Sequence, residues 1–140
     1  MIIPNNSLTE DIKEIVALCE ELAPEYGEDA SWFSEPASED EIIKWERENK
    51  ISIPESYKEW LMFSNGSYIV NGTAHFFSLK MFDAHNDYIP DDYVVIGELI
   101  GDGELLCFSK ITGKIIRYNH GKSIVYQNFK EIIDLILSII

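Results

Sequence analysis

The chain has 140 residues and 16.1 kDa, 46% apolar and 26% charged, a mixture that suits one folded domain over residues 1–140 and excludes a disordered chain. A chain of that length buries roughly 70% of the surface its unfolded form exposes, so neither disulfides nor a metal are needed to fold it. Eleven basic against 25 acidic side chains give a formal net charge of −14, a field that repels nucleic-acid phosphates and anionic membranes and favours a basic partner.

The opening MIIPNNSLTE has no basic n-region and no apolar h-region, which argues against a secretory leader. Ser7-Leu8-Thr9-Glu10 reads as a capping box. It predicts a helix over 8–22 whose buried stripe is Ile12, Ile15, Val16, Cys19 and Leu22, with Pro24 as its stop. PEYGEDASWFSEPA is then a long connection that Trp32 and Phe33 pin to the body of the domain. Ser38-Glu39-Asp40-Glu41 is a second capping box, opening a helix over 39–49 with Ile42 and Trp45 on its apolar side and three acids at the positive end of its dipole. Ile51-Ser52-Ile53 is an extended link. Pro54 opens a third helix to residue 64, with Tyr57, Trp60, Leu61 and Ser64 on one face and Asn65-Gly66 as its C-terminal cap.

From Tyr68 the period changes to that of strands. Tyr68-Ile69-Val70 and residues 73–77 flank Asn71-Gly72, a short hairpin signal. LKMFDAHNDYIPDD is a long loop, aromatic and acidic together. Strands follow at Tyr93–Ile96, Glu104–Phe108, Ile115–Tyr118 and Ile124–Tyr126, separated by turns at Gly101-Asp102-Gly103, Thr112-Gly113 and Gly121-Lys122. Asn128-Phe129-Lys130-Glu131 resembles a capping box and opens a last helix over 128–139 that carries Phe129, Ile132, Ile133, Ile136 and Ile140. Turns too short for crossovers make the sheet antiparallel. The predicted class is α+β: N-terminal helices and a C-terminal helix packed on one face of a mainly antiparallel sheet. No apolar run reaches the ~18 residues of a spanning helix.

The residues that do chemistry elsewhere form no convincing constellation. Among His75, His85 and His120, none accompanies a Ser or Cys on a GxSxG elbow. Asp83-Ala84-His85-Asn86-Asp87 alternates possible ligands but matches no standard metal site, and reads as a polar loop. Gly101-Asp102-Gly103-Glu104 lacks the lysine of a P-loop and the spacing of a calcium loop, so a turn explains its glycines. Asp102 and Glu104 are an acid pair with no supporting feature. Cys19 and Cys107 lie in apolar patterns without a CxxC, so buried free thiols in a reducing cytoplasm are expected. Trp45, Tyr57 and Trp60 read as core where the helices meet the sheet. No enzyme, cofactor or metal is expected.

Charge is concentrated: residues 1–60 hold 16 acids and 5 bases, residues 61–140 hold 9 and 6. The second set lies on loops around the sheet and is interleaved with aromatics. Asp83, Asp87, Asp91, Asp92, Asp102 and Glu104, with Tyr88 and Tyr93 as anchors, are the expected partner-binding residues, since interfaces combine aromatic anchors with steering charge.

Two long segments resemble the SUKH superfamily. EDEIIKWERENKISIPESYKEWLMFSNG (39–66) is similar to its opening, through Glu46, Ile53-Pro54, Tyr57 and Asn65-Gly66. YVVIGELIGDGELLCFSKITGKIIRYNHG is similar to its later part, through Ile96-Gly97, Gly101-Asp102-Gly103, Thr112-Gly113 and His120. The Lys80–Asp92 loop and the first 35 residues depart from the pattern. The superfamily includes the fungal cell-wall assembly regulator and bacterial immunity proteins of polymorphic toxin systems, which bind a toxin domain encoded nearby and perform no chemistry. The resemblance implies helices on a mainly antiparallel sheet and a cytoplasmic antitoxin. Its partner would be a basic, nuclease-type toxin domain. The alternative is a regulatory or scaffold module that binds another protein.

Overall fold

The computed structural model describes residues 1–99 and 103–140, so Asp102 and most of the predicted Gly101–Gly103 turn lie outside the described residues. The helices are α1 (Thr9–Tyr26), α2 (Glu39–Asn49), α3 (Glu55–Leu61) and α4 (Phe129–Ile139). The strands are β1 (Trp32–Phe33), β2 (Ser67–Ile69), β3 (Ala74–Phe76), β4 (Tyr93–Leu99), β5 (Glu104–Ser109), β6 (Ile115–Asn119) and β7 (Lys122–Tyr126). Among the described residues the sheet has seven strands in the order β1 to β7, and every neighbouring pair is antiparallel. The α+β class and the helices at both ends follow the sequence reading.

Local details differ from it: β1 stands within the segment read as a connection, and the β6–β7 turn is His120-Gly121 rather than Gly121-Lys122. Ser7 does not cap α1: its hydroxyl donates to Glu59, Leu8 occupies the cap position, and Asn6 Oδ1 accepts from the Leu8 N–H at 2.8 Å. Pro24 does not stop α1, which runs on to Tyr26. At the exposed end of a long helix a proline removes one hydrogen bond, and the next turn still closes through Gly27 N–H to the Ala23 carbonyl at 2.8 Å. Asn65-Gly66 does not cap α3, which ends at Leu61; it forms the junction into β2. There Asn65 Oδ1 accepts from Leu79 N–H at 2.9 Å and the Gly66 carbonyl accepts from Ser34 N–H at 3.0 Å. The β2–β3 connection is wider than a two-residue turn, because pairing stops at Ile69 and Ala74. Val70 N–H is captured by Ser31 Oγ and Asn71 N–H by the Ala30 carbonyl, which draws the turn toward the segment before β1.

All four helices cover one face of the sheet. The capping box predicted at Ser38 is formed, with Ser38 Oγ accepting from Glu41 N–H and Glu41 returning to Ser38 N–H, both at 3.1 Å. Glu46 then joins α2 to α3: it accepts from Ile53 N–H at 2.8 Å and pairs with Lys58 at 3.1 Å. Tyr57 and Trp60 are fully buried and Trp45 is half-buried against the core. The Tyr57 hydroxyl lies 3.3 and 3.4 Å from the carbonyls of Phe77 and Ile96, and burial pushes its pKa far up. Asn128 Oδ1 accepts from Glu131 N–H at 3.3 Å at the start of α4, while Glu131 returns to Gln127 rather than Asn128.

β4 carries an irregularity between Val95 and Gly97. Here the backbone of β3 comes so close that a Cβ on Gly97 would stand 2.5 Å from the His75 carbonyl oxygen. The obstacle is backbone within a paired strand, so little can move aside. Gly97→Ala should therefore lower the unfolding free energy by about 2–3 kcal/mol. Urea unfolding will show this as a lower midpoint at unchanged slope; an unchanged midpoint would mean β3 yields freely.

Candidate protein-binding face

The helices leave the second face of the sheet bare, and the registers place one row of side chains straight across it. Trp32 pairs with Tyr68, Tyr68 with His75, His75 with Glu98, Glu98 with Leu105, Leu105 with Tyr118 and Tyr118 with Ser123. Seven strands at about 4.8 Å spacing make this row about 29 Å long. The pleat explains its composition: in β2 and β3, Ser67, Ile69, Ala74 and Phe76 turn to the core, so Tyr68 and His75 turn outward. Trp32 lies parallel to Tyr68 at 5.9 Å and 9°, and Tyr68, Phe77 and Trp32 all meet the His75 ring near edge-on at 5.1 to 5.9 Å. Trp32 is 45% exposed and Glu98 is exposed, the only carboxylate in the row. A shallow depression of about 640 Å³ adjoins this end, between Trp32, Glu35, Gly66, His75, Ser78 and Lys80.

The other half of the face is covered by the acidic loop. Asp83 exchanges both backbone hydrogen bonds with Val95, at 2.8 and 3.1 Å, and Ile89 drops onto Val95, Cys107 and Ile116. Lys110 fastens the loop by donating to the carbonyls of Ala84 and Asp91, both at 2.9 Å. Tyr93 arches from β4 to β7, where its hydroxyl meets Ser123 Oγ at 2.9 Å.

This geometry separates the sequence-predicted residues. Asp87, Tyr88 and Asp91 are exposed at the loop tip, Tyr88 at 90%. Asp83 is half-buried and accepts from His85 N–H and the Asn86 amide, at 3.2 and 2.9 Å. Asp92 accepts from Ser109 Oγ at 3.3 Å, and Tyr93 packs edge-on against Tyr118 at 5.9 Å. Glu104 is paired with Arg117, which also donates to the Tyr126 hydroxyl at 3.0 Å. Glu104 further lies at the opposite end of the β4–β5 hairpin from Asp91 and Asp92, about 20 Å away along the strands. Asp102 falls outside the described residues. The loop tip and Glu104 are thus not one cluster. Sequence reasoning missed the row itself. Its signal was the alternation of outward Tyr68 and His75 with buried neighbours, but the register that aligns them with Trp32 and Glu98 is a tertiary property.

Among the described residues no group of three or more His, Cys, Asp or Glu side chains is placed to hold a metal ion. His85 stands in the loop, His75 on β3, and His120 in the two-residue turn between β6 and β7, where its φ is 50° and that of Gly121 is 81°. Among the described residues no helix is long and apolar enough to cross a membrane. Cys19 and Cys107 are buried and unbonded. Burial pushes Cys107 up to about 12, with the charge of Asp83 adding to it. Its folded pKa stands above the ordinary 9.0, so its contribution to stability is complete below that value and is lost as the pH rises toward about 12. Iodoacetamide near pH ~8 should leave Cys107 unmodified in the native protein and alkylate both cysteines in concentrated urea. Peptide mapping that finds native Cys107 alkylated as fast as in urea would show that Ile89 does not seal the face.

A model of the SMI1 / KNR4 family (SUKH-1) matches residues 36–135. No curated protein matches the chain.

Proposed function

The chain belongs to the SMI1/KNR4 family (SUKH-1), and on that premise we propose that it is a cytoplasmic immunity protein that binds a basic, nuclease-type toxin domain and blocks it by direct contact. The family includes immunity proteins, and its members often bind partner proteins. The observation that carries the reading to a basic toxin is the net charge of −14. A nuclease is basic where it grips phosphates, and an acidic protein seated there competes with its substrate. Asp87 and Asp91 at the exposed loop tip supply negative charge beside the bare sheet face, and Tyr88 offers an exposed ring.

Co-expression with the toxin-like domain encoded beside its gene tests this directly. The chain should restore growth and co-purify with that domain; growth arrest with no complex would favour the regulatory or scaffold alternative. Asp87→Lys with Asp91→Lys adds four positive charge units at exposed positions without touching the bonds of Asp83 or Asp92. Association measured at low salt should slow by about tenfold, and the difference should shrink at high salt. Equal association rates for parent and variant would remove the loop tip from the docking surface.

A further inference from the structure

We propose that the bare row on the sheet, Trp32–Tyr68–His75–Glu98, is the central seat of the docking surface and takes an extended, arginine-bearing segment of a basic protein, with Glu98 clamping one guanidinium and Trp32 stacking another. This deepens the toxin-binding reading and relies on it only for the identity of the partner. The arrangement has what such a segment requires. The Trp32 ring lies parallel to Tyr68 with the ring centroids 5.9 Å apart, and Trp32 keeps 45% of its area exposed, so oriented aromatic surface is presented without further ordering. A planar cation stacks on such a face and is attracted by its quadrupole. Glu98 forms no ion pair among the described residues, is exposed, and stands in register with His75 in the middle of the row. A carboxylate of this kind accepts a guanidinium through two parallel hydrogen bonds.

Spacing and charge select the occupant. Trp32 and Glu98 are three strands apart, about 14 Å, and four residues of an extended chain span the same distance. Arginines four apart on an extended segment therefore reach both. The chain's net charge of −14 attracts such a segment and repels an acidic peptide or a second copy of itself. The covered half of the face cannot serve, since Ile89 and Tyr93 already occupy it. Asp87 and Asp91 then stand at the rim and steer, whereas Glu98 lies at the centre and holds. These roles have different kinetic signatures: rim charge acts on association, a desolvated central pair on dissociation.

Two measurements test the proposal. In the first, the isotope-labelled protein is titrated with the peptide Gly-Arg-Gly-Gly-Gly-Arg-Gly and followed by NMR. Shifts should concentrate on the Trp32 indole, Tyr68, His75 and Glu98, and Glu98→Gln should abolish them; shifts spread over the acidic faces of α1 and α2, or none at all, would overturn the proposal. In the second, the complex with the neighbouring toxin domain is dissociated from a surface. Glu98→Gln and Trp32→Ala should each speed dissociation at least tenfold, while Glu14→Gln on α1 changes it less than twofold. Glu98→Gln is isosteric at an exposed position, so it tests the seat even if Trp32→Ala weakens the β1 edge. A peptide that binds here without any toxin complex would uphold the seat and refute the toxin as partner. A toxin complex indifferent to both substitutions would uphold the toxin and refute the seat.

Discussion

Tyr57, Trp60, Phe76 and Phe129 meet at ring separations of 4.8 to 5.5 Å, and each layer of the molecule is attached to that contact. α3 contributes the first two rings, the sheet the third and α4 the fourth. Large rings bury much apolar area in a fixed edge-to-face geometry. Around them Phe129 N–H is satisfied by Ser56 Oγ at 2.9 Å and Trp60 Nε1–H by Ser67 Oγ at 3.2 Å. The cluster explains why α4, distant in sequence from α3, closes beside it: α4 has a strongly apolar face and the aromatic group is where that face can be buried. It also explains why every helix lies on the same side. Once Phe76 and its neighbours point to one face, the opposite face keeps only what the alternate strand positions supply.

Electrostatics follow from that division. Several of the chain's few cations are committed to holding the fold. Lys58 pairs with Glu46, Arg117 with Glu104, and Lys130 with Asp11 and Asp134, while Lys110 is turned to loop carbonyls. The more exposed of these pairs contribute little to stability. The acids of α1, α2 and the loop tip are left in excess, so the net negative charge is heaviest on the helical side and at the loop tip, with Glu98 as the carboxylate within the aromatic row. Beside the row, exposed Lys80 and Glu35 carry opposite charges, so Glu98 is the charge that the row itself presents.

The helices and strands were legible because their signals are local. The Ser38 capping box, the stripe of α4 and the Asn/Gly/Pro punctuation each act within a few residues. The signals that misled were also local, and each was overridden by something distant. Ser7 turned to Glu59, Asn65 to Leu79, and Val70 to Ser31, so apparent caps and turns became inter-element ties. β1 was not foreseen as a strand: two residues have no periodicity, and Trp32-Phe33 becomes a strand only because Tyr68 and Ser67 lie alongside. The candidate site was legible in its composition, acids among tyrosines, but not in its layout. Linear proximity of Asp91, Asp92 and Tyr93 suggested one patch, yet Asp92 and Tyr93 are engaged by Ser109 and Ser123 while Asp91 is exposed.

Among the described residues β7 is the last strand of the sheet and has no strand on its outer side, and Lys122 to Val125 are all exposed, including Ile124 and Val125 at about half their area. An edge of that kind is a template for growth of the sheet by further copies, and a single lysine is a thin guard. In neutral solution the guard is instead colloidal: molecules of like charge do not approach closely enough to join edges. Titration toward the sequence pI of 4.4 removes that repulsion while leaving the apolar edge in place. Repulsion between copies is therefore a property of the chain's acidity rather than of its strands, and acidification is the condition that would open β7 to edge pairing.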